Sequence, residues 1–495
     1  MDFIQGEVRK QYIMFPDLLD DYITEDNPTR VIDAYVEHLD LDDLGFTKAV
    51  PNDTGRPMYC AKDMLKLYVY GYMNRTRSSR RLEAETKKNV EVMWLLCKLS
   101  PDHKTISRFR KDNKKALKNV FRDFSKLCLD LELYGRELIA VDGSRFQAVN
   151  SKENNFNFDK IKDRLKRINN KINSYLEELD TYDKEENNAE SEASKIKINK
   201  IIQDLEARKE KYKELRTEMR EAGVKQKSLT DPDSRRMTTA HGGSMMAYNI
   251  QSAVDNKHNL IAEFEVTNAG NDKGQLSDMT KMAMKVLEVD HITSIADTGY
   301  NVGTDIGECI MNDIEPHISM KEDFVTICIE VDKEEGNEPK PYENGRLVYL
   351  KDRNIAVCPM GQILTPTTYR KSRGVAIYAR AKACNHCTHR CIKGDAIKSF
   401  ERTMKREEFS REYNAEDLYL KQIQVKRDVK LLKRRKAIVE HPFGTIKKSM
   451  NSGYCLMKGI ENVRGEFSLT FLAYNIKRAI NILGTKALIE AIEAR

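Results

Sequence analysis

The chain is 495 residues long, 33% of its residues are charged, and its formal net charge is +7 at pH 7. This length allows two to four domains with a substantial hydrophobic core. No run of 18 apolar residues occurs and the first residues show no signal-peptide pattern, so no membrane span and no signal peptide are expected. The ten cysteines are mostly scattered, which disfavours a disulfide framework and favours a reducing, cytoplasmic setting.

The positive charge is concentrated in two segments. Residues 75–118 contain 14 Lys or Arg against 5 Asp or Glu, and residues 421–448 contain 10 against 2. Both segments fit a polyanionic partner, because clustered basic side chains attract phosphate groups. The alternative for each segment is a solvated helix face without a partner.

Residues 1–130 are predicted to be helical and to bind DNA. Ser100 as N-cap and Pro101 at the first helical position predict the start of a basic helix. This helix would direct these side chains outward: Lys104, Ser107, Arg108, Arg110 and Lys111. A basic helix beside a polar turn favours a helix-turn-helix-like DNA reader, and the sequence leaves open which helix enters the groove.

After residue 131 the pattern changes to strands, which predicts a mixed α/β sheet. Strands are predicted at residues 137–149, 247–254, 260–266, 292–296 and 316–320, and a helix at residues 273–288. Residues 321–402 are turn-rich with short strand-like runs, which predicts a small β-rich insertion.

Another insertion, which comes earlier in the chain at residues 158–222, has apolar residues at heptad spacing. Its first run is Ile161, Leu165, Ile168, Ile172, Tyr175 and Leu179, and its second is Ile198, Ile201, Leu205, Tyr212, Leu215 and Met219. Two heptad runs joined by a polar segment predict an antiparallel coiled-coil hairpin.

Three carboxylates stand out because of their settings. Asp142 and Asp297 each follow an apolar run and precede turn residues, as expected where a buried strand delivers a carboxylate to a sheet edge. Glu440 lies in a stretch rich in Lys and Arg. Three carboxylates among basic residues suit Mg²⁺ ions that act on a phosphodiester.

In this order, Asp142, Asp297 and Glu440, with Lys447 seven positions after the glutamate, resemble the Asp-Asp-Glu set of bacterial insertion-sequence transposases. Further landmarks of that family are similar in residues 55–57, 78–83, 101–110, 248–255 and 440–444. The resemblance implies an α/β protein with a ribonuclease-H-like mixed sheet at residues 131–320 and 403–495. It also implies an all-α, helix-turn-helix-like DNA-binding domain at residues 1–130 and a β-rich insertion at 321–402. The heptad spacing adds a coiled-coil insertion at 158–225.

The resemblance also implies a reaction and its partners. Two Mg²⁺ ions, which Mn²⁺ can replace, would be held by the acids, with Asp142 bridging both ions and Asp297 and Glu440 each holding one. Water would cut double-stranded DNA at the terminal inverted repeats, and the freed 3′-OH would attack target DNA. We expect a homodimer that pairs two element ends, in the bacterial cytoplasm and on the nucleoid when bound to DNA. The expected DNA-binding residues are Lys104, Arg108, Arg110, Arg434, Arg435, Lys436 and Lys447.

The region around Glu440 departs from the Tyr-x2-Arg-x3-Glu-x6-Lys signature of related transposases. Lys436 occupies the arginine position and cannot make a bidentate phosphate contact, so Arg435 or Arg434 is expected to take that role. Pro442 is expected to break the helix, or to start a new one, directly after Glu440.

A cysteine cluster lies inside the β-rich insertion. Cys358, Cys384, Cys387 and Cys391 form a C-x25-C-x2-C-x3-C pattern, in which the C-x2-C pair can bind one tetrahedral Zn²⁺. A structural zinc site and four reduced thiols are both open.

Two other functions compete with an active transposase. One is a domesticated, non-catalytic DNA-binding protein that keeps the fold, and the other is a stand-alone metal-dependent nuclease. The three acids argue against the first alternative. The basic N-terminal region and the helical hairpin argue against the second, because they favour an assembled complex on DNA ends.

Overall fold

The structure, a computed structural model, describes residues 18–47, 58–150, 152–184, 189–224, 226–239, 242–300, 302–318, 348–350, 355–357, 363–379, 399–403 and 429–495. These residues form helices and a mixed sheet, so the predicted α/β class is confirmed. None of the helices in these ranges combines the length and the apolar character needed to cross a lipid bilayer.

The N-terminal part is helical, as predicted. Its helices are α1 (Pro28–His38), α2 (Ala61–Met73), α3 (Ser79–Lys88), α4 (Val90–Leu95), α5 (His103–Asp112) and α6 (Lys114–Asp130). In α6 the buried residues recur at three- and four-residue intervals, including Leu117, Phe121 and Phe124, so one apolar stripe faces the core.

Helix α5 begins later than the sequence predicts. Asp102 is its N-cap, and Oδ1 of Asp102 accepts the backbone N–H of Lys104 at 2.8 Å and of Thr105 at 3.1 Å. The prediction of Ser100 as N-cap was wrong, because the Ser100 hydroxyl instead bonds the hydroxyl of Thr86 at 2.7 Å. A carboxylate cap accepts hydrogen bonds from the free N–H groups, and its negative charge interacts favourably with the positive end of the helix dipole.

The centre of the protein is a mixed six-stranded sheet. Its strands are β1 (Leu138–Gln147), β4 (Arg235–Thr238), β5 (Ser244–Asp255), β6 (Ile261–Thr267), β7 (Ile292–Ala296) and β8 (Ile314–Ile318), and the separate pair is β2 (Asn155–Asn157) with β3 (Gln226–Ser228). The spatial order is β6–β5–β1–β7–β8, with β4 beside the first residues of β5. Strands β1, β5 and β6 are antiparallel neighbours, and β7 and β8 run parallel to β1.

Helices cover the sheet and join it to the N-terminal part. They are α9 (Leu276–Leu287), α10 (Gly303–Met311), α11 (Val429–Gly444), α12 (Ile460–Leu483) and α13 (Thr485–Glu493). One continuous core of buried side chains runs from Val31 to Ile492 and includes residues of α2, α6, the sheet and α12. A buried ion pair, Arg77 with Glu466 at 3.1 Å, crosses the same interface. The N-terminal helices are therefore packed directly against the sheet-bearing part.

The first insertion is a helical hairpin of α7 (Phe158–Lys184) and α8 (Ala189–Glu221). The start of α7 packs on the end of α8 through Ile161, Leu215 and Met219, so the two helices are antiparallel, as predicted. The predicted register of α8 was wrong at one position. Ile202 is buried against Ile168 and Ile172, whereas the predicted core residue Ile201 is 38% exposed.

The second insertion contains an antiparallel five-stranded sheet. Its described strands are β9 (Val348–Leu350), β10 (Ile355–Val357), β11 (Ile363–Arg370), β12 (Val375–Ala379) and β13 (Ser399–Thr403), paired in the order β13–β12–β11–β10–β9. The four predicted zinc ligands Cys358, Cys384, Cys387 and Cys391 lie outside the described residues, so the zinc site stays a prediction.

Candidate active site

Asp142 lies where the sheet opens between β1 and β7. The β1 residues before it, from Leu138 to Val141, are buried, and its own side chain is 23% exposed. Strand β7 pairs with β1 only as far as Ala140 opposite Ile295. Beyond that pair, β1 is paired with β5 on one side, and the next strand bridge on its other side among the described residues joins Gln147 to Tyr454, which leaves Asp142 unpaired on the β7 side.

Asp297 directly follows β7 at the same edge. The parallel register runs from Leu138 opposite Thr293 to Ala140 opposite Ile295, and its continuation sets Asp142 beside Asp297. Oδ1 of Asp297 accepts the backbone N–H of Gly299 at 2.7 Å, which holds the carboxylate in the turn after the strand. The structure thus brings together the two aspartates that the sequence singled out.

The electrostatics of this edge disfavour the charged form of Asp142 relative to an exposed aspartate. Burial raises the pKa of Asp142 to about 7; the Arg435 guanidinium acts in the opposite direction, and the charges of Asp297 and Asp272 raise the pKa further. The Arg435 contact, Nη1 to Oδ1, measures 3.6 Å. One arginine therefore offsets only part of the negative charge of three carboxylates.

Asp272 is a member of this site that the sequence reasoning missed. It lies in the loop after β6, and its Oδ1 accepts the side-chain amides of Asn249 and Gln251, both at 2.7 Å. The carboxylate acts on Asp142, and it also raises the pKa of the buried Tyr300, after the larger effect of burial itself. The available signal was weak: Asp272 follows turn-forming residues after β6, whereas Asp142 and Asp297 each come directly after an apolar run.

Glu440 does not form a metal-binding group with these two aspartates among the described residues. It is exposed on α11, where Arg435 is the residue that contacts Asp142. Five residues along a helix turn the side-chain direction by about 140°, so Arg435 and Glu440 face different sides. Within the described ranges, no three His, Cys, Asp or Glu side chains are arranged to hold one metal ion.

Helix α11 also continues past Pro442, so the predicted break there was wrong. Proline fits the backbone angles of a helix, and its cost is the missing N–H that the carbonyl of Ile438 would accept. A π-helical turn, Thr445–Ser449, follows and carries Lys447. The wider turn means that the seven-residue spacing from Glu440 to Lys447 is not two regular helical turns.

Lys447 lies against β1, close to Asp142. Its Nζ donates to Oγ of Ser144 and to the carbonyl of Arg145, the latter at 3.2 Å, and it lies 4.6 Å from the centre of the Phe146 ring. Burial lowers the pKa of Lys447, and the nearby Asp142 charge opposes that effect. The ammonium group is therefore held directly beyond Asp142 on the same strand.

The other expected DNA contacts are distributed over two surfaces. Arg434 is exposed and donates to Oδ1 of Asn256 at 2.7 Å, and Lys436 is exposed on α11. Lys104 and Arg108 are exposed on α5. Together with α3 they line an open cavity of about 600 Å³, formed by Ser79, Arg80, His103, Lys104, Ser107, Arg108, Lys111 and Asp112.

Arg110 does not belong to this basic surface, and the prediction that it faces outward was wrong. Its side chain is buried, with Nη1 donating to the Tyr72 hydroxyl at 2.9 Å and its guanidinium 5.3 Å from the Tyr68 ring centre. Two residues along a helix point in different directions, and in α5 the Arg110 side faces α2 rather than solvent.

Two protein families match parts of this chain. The family Transposase domain (DUF772) matches residues 17–112, which hold the basic surface of α3 and α5. The family Transposase DDE domain matches residues 357–480, which hold Arg435, Glu440 and Lys447. No curated protein and no solved structure matches the chain significantly. The two family matches, one toward each end of the chain, support an insertion-sequence DDE transposase.

Proposed function

We propose that this chain catalyses both chemical steps of transposition: hydrolytic, Mg²⁺-dependent cleavage of DNA at the element ends and joining of the 3′-OH to target DNA. The observation that supports this most is the side-by-side position of Asp142 and Asp297 where β1 and β7 separate. Asp142 lies on β1 beyond its last pairing with β7, and Asp297 directly follows β7, so the two carboxylates share one edge of the sheet.

The residues at this edge fit a divalent cation in their chemistry. Carboxylate oxygens are the ligands that Mg²⁺ prefers, and the raised pKa of Asp142 reflects burial and negative charge that a bound cation would stabilise. Asp142 and Asp297 would hold the cations, with Glu440 proposed as the third acid by resemblance. Bound Mg²⁺ would activate the attacking oxygen and stabilise the leaving oxygen of the phosphodiester.

The basic side chains around the edge have a distinct task. Arg435 lies 3.6 Å from the Asp142 carboxylate, and Lys447 is fixed on the following residues of the same strand. Both therefore bring positive charge to the place where a DNA phosphate would approach the aspartates. We propose that they orient that phosphate, because fixed cations in a partly buried site interact strongly with an anion.

The remaining parts of the fold support a complex on DNA. An antiparallel three-stranded unit followed by two parallel strands supports the ribonuclease-H-like interpretation of the sheet. The exposed Lys104 and Arg108 support end recognition by the α3–α5 surface, in a helix-turn-helix-like manner. We propose double-stranded terminal repeats and target DNA as substrates, and a homodimer that holds two ends.

A cleavage assay with full-length protein, Mg²⁺ and DNA containing element ends tests the proposal. Asp142→Asn and Asp297→Asn are each expected to abolish cleavage without loss of end binding, because each removes one charged ligand and little volume. Exposed Asp278 on α9 provides a matched control, and Asp278→Asn should cleave like the unmodified protein. Glu440→Gln decides whether the exposed glutamate belongs to the site.

The competing functions give different results in the same assay. Binding of ends without any Mg²⁺-dependent cleavage by the unmodified protein would identify a domesticated DNA-binding protein. Cleavage that is equal on DNA with and without element ends, and without strand joining, would identify a stand-alone nuclease. Full activity of Asp142→Asn or Asp297→Asn would remove that residue from the site.

A further inference from the structure

Gly143, which follows Asp142, leaves a space that any larger residue would fill. Alternate residues of a strand face opposite sides of the sheet, so position 143 faces the side of its β5 partner Gln251. A Cβ atom on Gly143 would lie 2.2 Å from Oδ1 of Asp272 and 2.2 Å from Nε2 of Gln251. The backbone of Gly143 is not in the left-handed region. Its missing side chain is therefore what lets the Asp272 carboxylate reach β1.

Asp272 is connected to the turn that carries Asp297 by a continuous set of hydrogen bonds. Oδ1 of Asp272 accepts the Gln251 amide at 2.7 Å, and the Gln251 carbonyl oxygen accepts the hydroxyl of Tyr300. The backbone N–H of Tyr300 donates to the carbonyl of Asp297 at 3.2 Å. A buried network of this kind fixes the relative position of the segments that it joins, because breaking one bond leaves a buried polar group unsatisfied.

The same carboxylate also approaches the second catalytic turn directly. Oδ2 of Asp272 lies 3.4 Å from the position that a Cβ would take on Gly299, and Oδ1 of Asp297 lies 2.9 Å from that position. The Asp272 carboxylate thus lies between Gly143, which follows Asp142, and Gly299, in the turn after Asp297.

A buried acceptor on the neighbouring strand borders the same space. Asn249 is 1% exposed and donates to Asp272, but its Oδ1 has no hydrogen-bond partner among the described residues. That oxygen lies 2.9 Å from the Cβ position of Gly143, so it is directed at the same gap. A buried acceptor without a donor is costly unless a water or ligand satisfies it.

We propose that Asp272 is a positioning residue of the transposase site. It fixes the spacing of Asp142 and Asp297 through Gln251 and Tyr300, and it occupies the gap that Gly143 leaves open. This inference rests on the proposed function, in which the two aspartates hold the catalytic cations. Displacement of a catalytic group by about 1 Å can reduce a rate about 100-fold, so the positioning has a large expected effect.

The experiment compares Asp272→Ala, Asp272→Asn and Gly143→Ala in the full-length protein. The alanine variant removes the acceptor of both amides, and single-turnover cleavage should fall about 100-fold with end affinity unchanged within about twofold. The asparagine variant keeps an oxygen that can accept both amides, so it should retain most of the rate. Gly143→Ala should resemble Asp272→Ala, because the added methyl group displaces the carboxylate.

Two controls and a second readout separate positioning from a general loss of structure. Gly270→Ala lies in the Asp272 loop, where an added Cβ meets no atom within 4 Å, and it should behave like the unmodified protein. Hydrogen exchange at residues 297–300 should rise in Asp272→Ala and Gly143→Ala but not in Gly270→Ala or Asp272→Asn. This readout needs no cleavage, so it tests the positioning even if the proposed function fails.

Two results would overturn the inference. Unchanged cleavage and unchanged exchange in Asp272→Ala would show that the network does not control the two aspartates. Loss of cleavage in Asp272→Asn equal to that in Asp272→Ala, with normal exchange at residues 297–300 and weakened Mn²⁺ binding in electron paramagnetic resonance, would make Asp272 a cation ligand instead.

Discussion

Replacement of Asp142 by Asn should stabilise the protein at alkaline pH when divalent cations are absent. Burial raises the pKa of Asp142 from 3.8 to about 7; Arg435 opposes that rise, and Asp297 and Asp272 add to it. Between these two pH values the folded protein binds a proton that the unfolded chain has lost. The free energy of unfolding therefore falls as pH increases through this window, and the loss is complete above pH 7.

The size of the effect follows from the same shift. A rise of the pKa from 3.8 to about 7 corresponds to about 4 kcal/mol of unfolding free energy. Because 23% of the Asp142 side chain remains exposed, solvent reduces this value, and we expect roughly 2–4 kcal/mol. Asparagine has nearly the same shape and no charge, so it removes this penalty above neutral pH.

Thermal unfolding of both proteins at pH 4.5 and pH 8, with chelator present, measures the prediction. The midpoint of Asp142→Asn should exceed that of the unmodified protein at pH 8, and the difference should be much smaller at pH 4.5. Addition of Mg²⁺ at pH 8 should raise the midpoint of the unmodified protein and have little effect on the variant, since only the former keeps the charged ligand. A difference that does not depend on pH, or a variant that is less stable at pH 8, would refute the reasoning.

Three further predictions concern the surroundings of the site and the packing. Lys447→Ala should reduce cleavage more than end affinity, because it empties the position directly beyond Asp142; equal losses in cleavage and binding assays would make Lys447 an ordinary backbone anchor. Glu466→Gln should lower the free energy of unfolding by about 3 kcal/mol or more, because it leaves Arg77 buried without its counter-charge, and a loss below about 1 kcal/mol in urea unfolding would contradict this. Ile202→Ala should destabilise the hairpin by about 2–4 kcal/mol and Ile201→Ala by less than about 1 kcal/mol, because Ile202 is buried and Ile201 is exposed. Hydrogen exchange in α7 and α8 measures both effects, and a larger effect of Ile201→Ala would contradict the prediction.

The sequence by itself determined the elements whose pattern is local. Strand β7 has the predicted bounds, Ile292–Ala296, because a short apolar run bounded by turn residues has few other ways to be buried. The same reasoning selected Asp142 and Asp297, since each is the first carboxylate after such a run. That both reach one edge follows from the parallel pairing of β1 and β7, whose register sets Asp142 beside Asp297.

The local pattern did not determine which of two nearby residues on a helix faces the core. The heptad spacing in α8 predicted Ile201 as a core position, but the packing against α7 buries Ile202 instead. Similarly, α5 carries basic residues on several sides, and contact with α2 decided that Arg110 is buried while Arg108 stays exposed.

The tertiary structure alone decided the composition of the site. Asp272 is 130 positions from Asp142 in the sequence and reaches it only because Gly143 leaves room and Asn249 and Gln251 hold the carboxylate. Glu440, the acid selected by its basic setting and the resemblance, is exposed on α11, whereas Arg435 of the same helix contacts Asp142. Periodicity specifies which face of a segment is buried, whereas contacts between distant segments depend on how those faces pack, which no single segment encodes.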